Sequence, residues 1–297
     1  MKKLTIITPT YNRAHILSKV YESLKKQTCN DFIWMLVDDG SNDNTEEVVN
    51  SFISEGVVDI IYIKKDNGGK GSALNVGLDK LTTEIVTCLD SDDCLSADAV
   101  EKVLKKYNTI INDSKCCGIL AFRSNPDGTP MGGIRIPETM KNVTATDIFM
   151  NLNSRGELIC FYKKEIISKY RFPKYMGENF FAPSWMHYEL SRNYYFRSTN
   201  DVLCICEYLE DGLTKNVRKL HVNNPNSYRC IKKLHFEHAN TIRLKVKHGI
   251  MYDCACILSK YSDWFTDSPR KLLSVLLMPF AYGVYLMWYK KLIDNKE

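Results

Sequence analysis

FIWMLVDDGSNDNTEEVVNSF, residues 32–52, opens with an apolar run, passes through a polar turn and closes in a helical pattern. Phe32 to Asp38 is too short for a helix and runs into turn residues, so it reads as a buried strand. Asp38-Asp39-Gly40-Ser41 turns the chain. Asn42 or Asp43 then caps a helix over 43–54, with Glu46 and Glu47 in its first turn, where the helix dipole favours negative charge. The unit recurs: apolar runs at 4–8, 58–63 and 84–90 lead into helical patterns at 13–27, 71–81 and 96–112, the last beginning at a Ser96 cap. Strands alternating with helices in this way imply βαβ units, hence an α/β fold with a mostly parallel sheet and helices on both faces. Further strands are expected at 116–122, 158–162 and 202–208, and short helices at 144–153 and 163–170. From about 225 the pattern is helical. The chain thus divides into an α/β domain over 1–220 and a helical extension over 221–297.

The composition of the 297 residues, 44% apolar and 25% charged, is that of a folded globular protein and excludes a disordered one. The net charge of +5 is unevenly placed: residues 211–297 hold 15 Lys and Arg against 7 Asp and Glu. Such a basic segment suits a phosphate group or an anionic membrane surface, and no nucleic-acid partner is expected. The eleven cysteines show neither disulfide-scaffold nor zinc spacing, which makes them small buried residues of a reducing compartment. The start, MKKLTIITPTY, has too short an apolar run for a secretory leader, so the expected location is cytoplasmic.

Ligands of open α/β sheets bind at the carboxyl ends of the strands. Four polar clusters fall there: TPTYNR (8–13), DDGSNDNT (38–45), DNGGKGSALNVG (66–77) and DSDD (90–93). Together they suit a nucleotide, with Tyr11 to stack a base, Asp38 or Asp39 to accept from its N–H, and Lys70 to face a phosphate. Asp90-Ser91-Asp92 sets two carboxylates on one side of an extended segment, and crowded carboxylates repel unless a positive group sits between them. Mg²⁺ or Mn²⁺, which take oxygen ligands and share them with phosphates, would serve. A cap on the following helix is the plainer reading of the same residues. GGKGS lacks the spacing of a phosphate-binding P-loop, and no G-x-G-x-x-G follows the first strand.

In that order and spacing, TPTYNR, LVDDGSNDNT, NGGKGSALNVGL and LDSDD resemble the family 2 glycosyltransferases of the GT-A fold, the resemblance covering residues 4–93. It implies an inverting, metal-dependent hexosyl- or N-acetylhexosaminyltransferase using a UDP-sugar. Thr8, Pro9 and Tyr11 would line the uracil site, Asp39 or Asp38 would bond the base or ribose, and Lys70 would lie near the diphosphate. Asp90 and Asp92 match the DXD pair that holds Mn²⁺ or Mg²⁺, with Asp92 the direct ligand; Ser91 lies between them, and Asp93 would orient ribose, sugar hydroxyls or water. The resemblance extends to bacterial capsule and exopolysaccharide enzymes, and so to a lipid-linked oligosaccharide acceptor. A protein or polyol-phosphate polymer acceptor, or a non-catalytic sugar-nucleotide-binding subunit, are the alternatives.

Family members carry a Glu-Asp pair at the start of an acceptor-side helix, its aspartate being the base. Here YMGENFFAPSW (175–185) reads Glu178-Asn179, which moves the expected base to Glu178; the plainer reading is a helix-start charge. Lys215 and Arg218 are candidates to close over the diphosphate, or else belong to a solvated face. The aromatics between 180 and 196 read mainly as core, Trp185 being the candidate acceptor contact. His187 and His221 read as structural rather than as a third metal ligand. Finally, RKLLSVLLMPFAYGVYLMWYKK (270–291) has 18 uncharged residues between two basic pairs, interrupted by Pro279 and Gly283. The Trp, Tyr and Lys at its end favour a helix on the inner face of the cell membrane, ahead of packing on the protein or a full span. Helices within 228–260 offer enough apolar surface for a homodimer.

Overall fold

The computed structural model describes residues 2–131, 135–152, 158–206 and 217–294. The chain forms two compact units, one from 1–172 with 190–208, the other from 173–189 with 209–297.

In chain order the first unit contains β1 (Leu4–Thr10), α1 (Leu17–Lys25), β2 (Phe32–Asp38), α2 (Thr45–Glu55), β3 (Ile60–Lys64), α3 (Lys70–Asp79), β4 (Ile85–Cys88), β5 (Asp93–Leu95), α4 (Ala99–Asn108), β6 (Cys116–Ser124), β7 (Asn142–Val143), β8 (Leu158–Lys163), α5 (Lys164–Ile167) and β9 (Tyr195–Cys206). The described strands make one sheet in the order β3-β2-β1-β4-β8-β6-β9-β5, with β7 on β9. The segment β3-β2-β1-β4 is parallel throughout, as the βα rhythm requires. β8 then runs antiparallel to both β4 and β6, and β9 returns parallel to β6.

Every residue of β2 except Ile33 is buried, which accounts for its unbroken apolar run, while β3 at the sheet edge is half-exposed. Tyr21 of α1 and Phe52 of α2 stack with ring centroids 4.1 Å apart, and both stack on Trp34 of β2. The N-cap of α2 is Asn44, without a side-chain capping bond, rather than the expected Asn42 or Asp43; Asp43, one residue earlier, accepts from the Thr45 N–H and hydroxyl at 3.1 and 2.6 Å. The first helix starts four residues later than its pattern suggests, because Asn12 takes a left-handed conformation and the chain turns before Leu17. β5 and β7, three and two residues long, have no readable period. The helix expected over 144–153 is a single π turn, Asp147–Asn151.

β6 and β8 approach unusually closely at Gly118, where a Cβ would sit 2.0 Å from the Phe161 carbonyl oxygen. The cysteines are all unpaired, and Cys116, Cys117, Cys160, Cys204, Cys206, Cys254 and Cys256 are buried.

The second unit holds α6 (Ser184–Leu190), α7 (Val217–Asn223), α8 (Pro225–His238), α9 (Ile242–Leu258) and α10 (Lys271–Tyr285), which continues helically to Asp294. Pro225 stands at the first position of α8, where its missing N–H costs nothing, and Thr241 caps α9 by accepting from Leu244 N at 3.3 Å. Phe236, Tyr252 and Cys256 form the centre of its core, with Trp264 and Leu273 against them. The boundary expected at 220 would cut α7 and is corrected accordingly: α7 lies whole in the helical unit, together with 173–189.

The structure sets two expectations for stability. Gly118→Ala has no room for its methyl group without moving β8, so it should cost about 2 kcal/mol or more in a urea unfolding curve. The second concerns Asp253 of α9, fully buried with neither carboxylate oxygen hydrogen-bonded. Burial pushes its carboxyl up from 3.8 to about 7, opposed by the nearby Ser274. The unfolded chain therefore ionises first, and stability should fall as pH rises from about 4 to 7, by up to roughly 4 kcal/mol, then level off. Asp253→Asn should flatten that part of the pH–stability curve; an unchanged slope would sink the assignment.

Candidate active site

The clusters at the strand ends meet through polar contacts in the first unit. After β1, the Asn12 N–H donates to Ser41 Oγ at 2.8 Å, and Asn42 N–H donates to Asn12 Oδ1 at 2.8 Å, tying the loops after β1 and β2 together. Gly40 has a φ of 83° and lies so close to the next loop that a Cβ would be 2.9 Å from Asn67 N. Asp38 is spent on holding this turn, accepting from Ser41 N–H at 2.8 Å and the Tyr62 hydroxyl at 2.6 Å. Asp39 is buried and accepts from Gly68 N–H at 3.0 Å and Gly69 N–H at 2.6 Å, with Lys65 Nζ 2.6 Å away. The glycine loop thus cradles an internal carboxylate, which explains physically why it is no P-loop. It also fixes the start of α3, whose first residue is Lys70.

Lys70 Nζ reaches Asp90 Oδ1 at 2.5 Å. Burial acts against charge on both, yet each holds the other ionised. The lysine is raised by Asp90, and the carboxyl falls to about 2 under Lys70 and the nearby Arg123. Asp93, at the start of β5, pairs with Arg123 Nη1 at 2.5 Å, and burial still pushes its carboxyl up to about 6. Asp92 has no hydrogen bond or ion pair among the described residues. Carboxylate oxygens of Asp90, Asp92 and Asp93 lie within 4.8 Å of one another. This all-oxygen donor set, with one member uncommitted, fits a hard divalent cation better than a soft one. Ser91 is buried between them.

The structure therefore brings Lys70, Asp90, Asp92 and Asp93 together and adds two residues that sequence reasoning passed over. Arg123 lies one residue beyond the strand expected to end at 122; a base at the carboxyl end of a buried strand was the available signal. Lys65 was hidden beside the more conspicuous Lys70. Of the residues expected to line a base, Tyr11 is 46% exposed and Pro9 half-buried. The Thr8 side chain is instead turned into the core, its Oγ1 accepting from Trp34 Nε1 at 2.9 Å.

The acceptor-side expectations fall in the helical unit, and two need correcting. Glu178 is not a free base. Its Oε1 accepts from Asn226 N–H and Nδ2 at 2.8 and 2.9 Å, and its Oε2 from Ser227 N–H and Oγ at 2.8 and 2.6 Å. It caps α8 from outside, where helix N–H groups lack partners. In return Asn224 Oδ1 accepts from Asn179 and Phe180 N–H, at 3.0 and 2.9 Å. Trp185 is buried with its ring nearly perpendicular to that of Phe181, centroids 5.7 Å apart, which is a core position rather than an open acceptor contact. Arg218 is exposed and lies over the Trp288 ring at 4.8 Å; Lys215 is outside the described residues. His221 bonds Tyr289 Oη through Nδ1 at 3.0 Å, a structural role.

The family profile "Glycosyl transferase family 2" matches residues 5–170. The chain is 38% identical over 104 residues to Glycosyltransferase GlyA of Streptococcus pneumoniae, covering 35% of this chain and 15% of that one. It is 26% identical over 237 residues to the GalNAc(5)-diNAcBac-PP-undecaprenol beta-1,3-glucosyltransferase of Campylobacter jejuni, covering 77% and 71%. The share of a curated relative that the chain spans is thus small for some, such as GlyA. S. aureus TarS 1-349 in complex with UDP-GlcNAc superposes with a TM-score of 0.57 at 16% identity, over 96% of this chain and 92% of that one. The mannosyltransferase PcManGT from Pyrobaculum calidifontis, in complex with GDP-Man and Mn2+, gives 0.58 at 18%, over 97% and 88%. At these identities the two structures establish likeness of fold, the GT-A arrangement.

The Glu178 geometry is directly testable. Glu178→Gln replaces one accepting oxygen with a donor that faces other donors, so it should lower stability by about 1–3 kcal/mol in thermal or urea unfolding. An unshifted midpoint would contradict the capping role.

Proposed function

The chain belongs to glycosyl transferase family 2, and from that premise we propose that it moves one sugar from a UDP-sugar to a hydroxyl of a lipid-linked oligosaccharide in bacterial surface-polysaccharide synthesis. The observation that carries this reading is the meeting of Lys70, Asp90, Asp92, Asp93 and Arg123 at the carboxyl ends of strands. Departure of a nucleoside diphosphate leaves charge on its terminal oxygens, and preformed positive groups lower the barrier by meeting that charge as it develops. Lys70, exchanging Asp90 for the diphosphate, is such a group. Arg123 stays with Asp93 and keeps the acidic cluster from repelling the incoming phosphates. Mn²⁺ or Mg²⁺, held by Asp92 and Asp90, would neutralise the leaving group as a Lewis acid.

Tyr11 and Pro9 are placed in this reading against the uracil, and Asp39 acts by fixing the glycine loop that carries Lys70. The transfer is a single displacement. The acceptor oxygen bonds to C1 of the sugar, the C1–O bond to the diphosphate breaks, the hydroxyl proton passes to a base, and the configuration inverts. The helix Lys271–Asp294, 24 residues long and apolar enough to cross a bilayer, is assigned to the inner face of the membrane, which is where a lipid-linked acceptor would be met.

Calorimetric titration of UDP with and without Mn²⁺, on wild type and Asp92→Ala, tests the donor site. Binding should need the metal and weaken at least about tenfold in the variant, a loss of one charged ligand. Release of UDP from a UDP-sugar in the absence of acceptor should follow in the wild type, whereas a non-catalytic binder releases none. Failure of UDP to bind under any metal condition would overturn the donor assignment.

A further inference from the structure

Among the described residues, the helical unit gathers positive charge where no carboxylate meets it. On one side of α8, Arg229 and Lys233 are answered by Asp267, Arg229 at 3.8 Å and Lys233 in a closer pair. Lys232, and His235 one turn on, face differently, towards Lys247 and His248 of α9. The rings of His235 and His248 are 5.3 Å apart, and Tyr188 lies 4.8 Å from His235. Lys232 Nζ is 5.2 Å from the Tyr228 ring centre, and Tyr228 stacks on His221 at 3.7 Å. Among the described residues neither Lys232 nor Lys247 has an ion-pair partner, and the buried Nδ1 of His248 has no hydrogen bond. Asp253 offers no help, since it is turned to Ser274 of α10.

The electrostatics agree with that geometry. Burial, then the charge of Lys247, pulls Lys232 down to about 8; burial, then Lys232 and Lys247, pulls His248 down to about 4. His235 is driven low by the same causes, burial first. Unanswered charge in a partly buried place lowers stability, so it is a candidate for a role beyond packing. The cluster is also joined to the apolar helix. Tyr289, on the continuation of α10, shares a hydrogen bond with His221 and donates to the Tyr228 hydroxyl at 3.3 Å. The outer residues of that helix include Leu272 and Leu276, 80% and 69% exposed.

We propose that Lys232, His235, Lys247 and His248 form a binding site for a phosphate or diphosphate group. Two lysines and two imidazoles supply charge and N–H donors to an anion with several oxygens, and the anion in turn favours protonated imidazole. A lipid phosphate lying along the apolar helix and a free soluble phosphate share this chemistry.

The test uses the full chain with EDTA present, which silences metal-dependent diphosphate binding at Asp90 and Asp92. Histidine ring titrations are followed by NMR with inorganic pyrophosphate, against sodium chloride at matched ionic strength. The His235 and His248 midpoints should rise by about one pH unit or more with pyrophosphate, and the rise should vanish in Lys232→Met. That variant keeps the stem and drops the unpaired charge, so without ligand it should unfold at the same or a higher temperature than wild type. Absence of the histidine shift overturns the proposal whatever the unfolding temperature does. Sedimentation with vesicles of phosphatidylcholine alone, or containing phosphatidic acid, then identifies the source. Preference for phosphatidic acid that is lost in Lys232→Met assigns the site to a lipid phosphate; a histidine shift with equal vesicle binding by wild type and variant assigns it to a soluble one.

Discussion

The first unit depends on the contact between Lys70 and Asp90. Three carboxylates within reach of one another would repel strongly in a half-buried site, and their mutual repulsion would disrupt the turn that holds them. Lys70 and Arg123 prevent this by dividing the work, the lysine on Asp90 and the arginine on Asp93. Asp92 is left uncommitted and still electrostatically tolerable. The position of Lys70 is itself a product of Asp39, whose carboxylate occupies the backbone N–H groups just before α3. A buried acid after β2 therefore sets the lysine that balances an acid after β4.

Legibility in the sequence followed burial. β2 is buried on both faces and could be read residue for residue, and the parallel half of the sheet came with it. β5 and β7 are too short to carry a period, and β9 could be placed only in its second half because its first half is aromatic and polar. The site was legible where chemistry alone crowds residues, as at 90–93, and along the glycine loop. It was illegible where a residue type has two uses. Thr8 and Asp38 occupy ligand-like positions yet serve the core and the turn, since a hydroxyl beside an indole N–H and a carboxylate beside a backbone N–H satisfy buried donors first. Arg123, a base at the carboxyl end of a buried strand, could be flagged from the sequence, but its pairing with Asp93 depends on β9 lying between β6 and β5.

Glu178 shows the same ambiguity from the other side. A carboxylate next to a helix start is what both a base and a cap look like in one dimension, and the deciding residues, Asn226 and Ser227, are nearly fifty positions away. The helical unit uses this carboxylate to bind the 173–189 segment to α8, reciprocated by Asn224, so a stretch that interrupts the α/β unit in sequence is held by the second unit in space.

The distribution of thiols gives the protein an internal clock. Burial raises Cys116, Cys117 and Cys160 in the sheet and Cys254 and Cys256 in α9, and the contact with Cys206, then burial, raises Cys204, so none of these presents a thiolate to solvent while its unit is closed. An alkylating reagent can reach them only when the surrounding elements part. Their labelling rates therefore measure how often each unit breathes, five buried cysteines reporting on the sheet and two on the helices, with no reporter group to be engineered in.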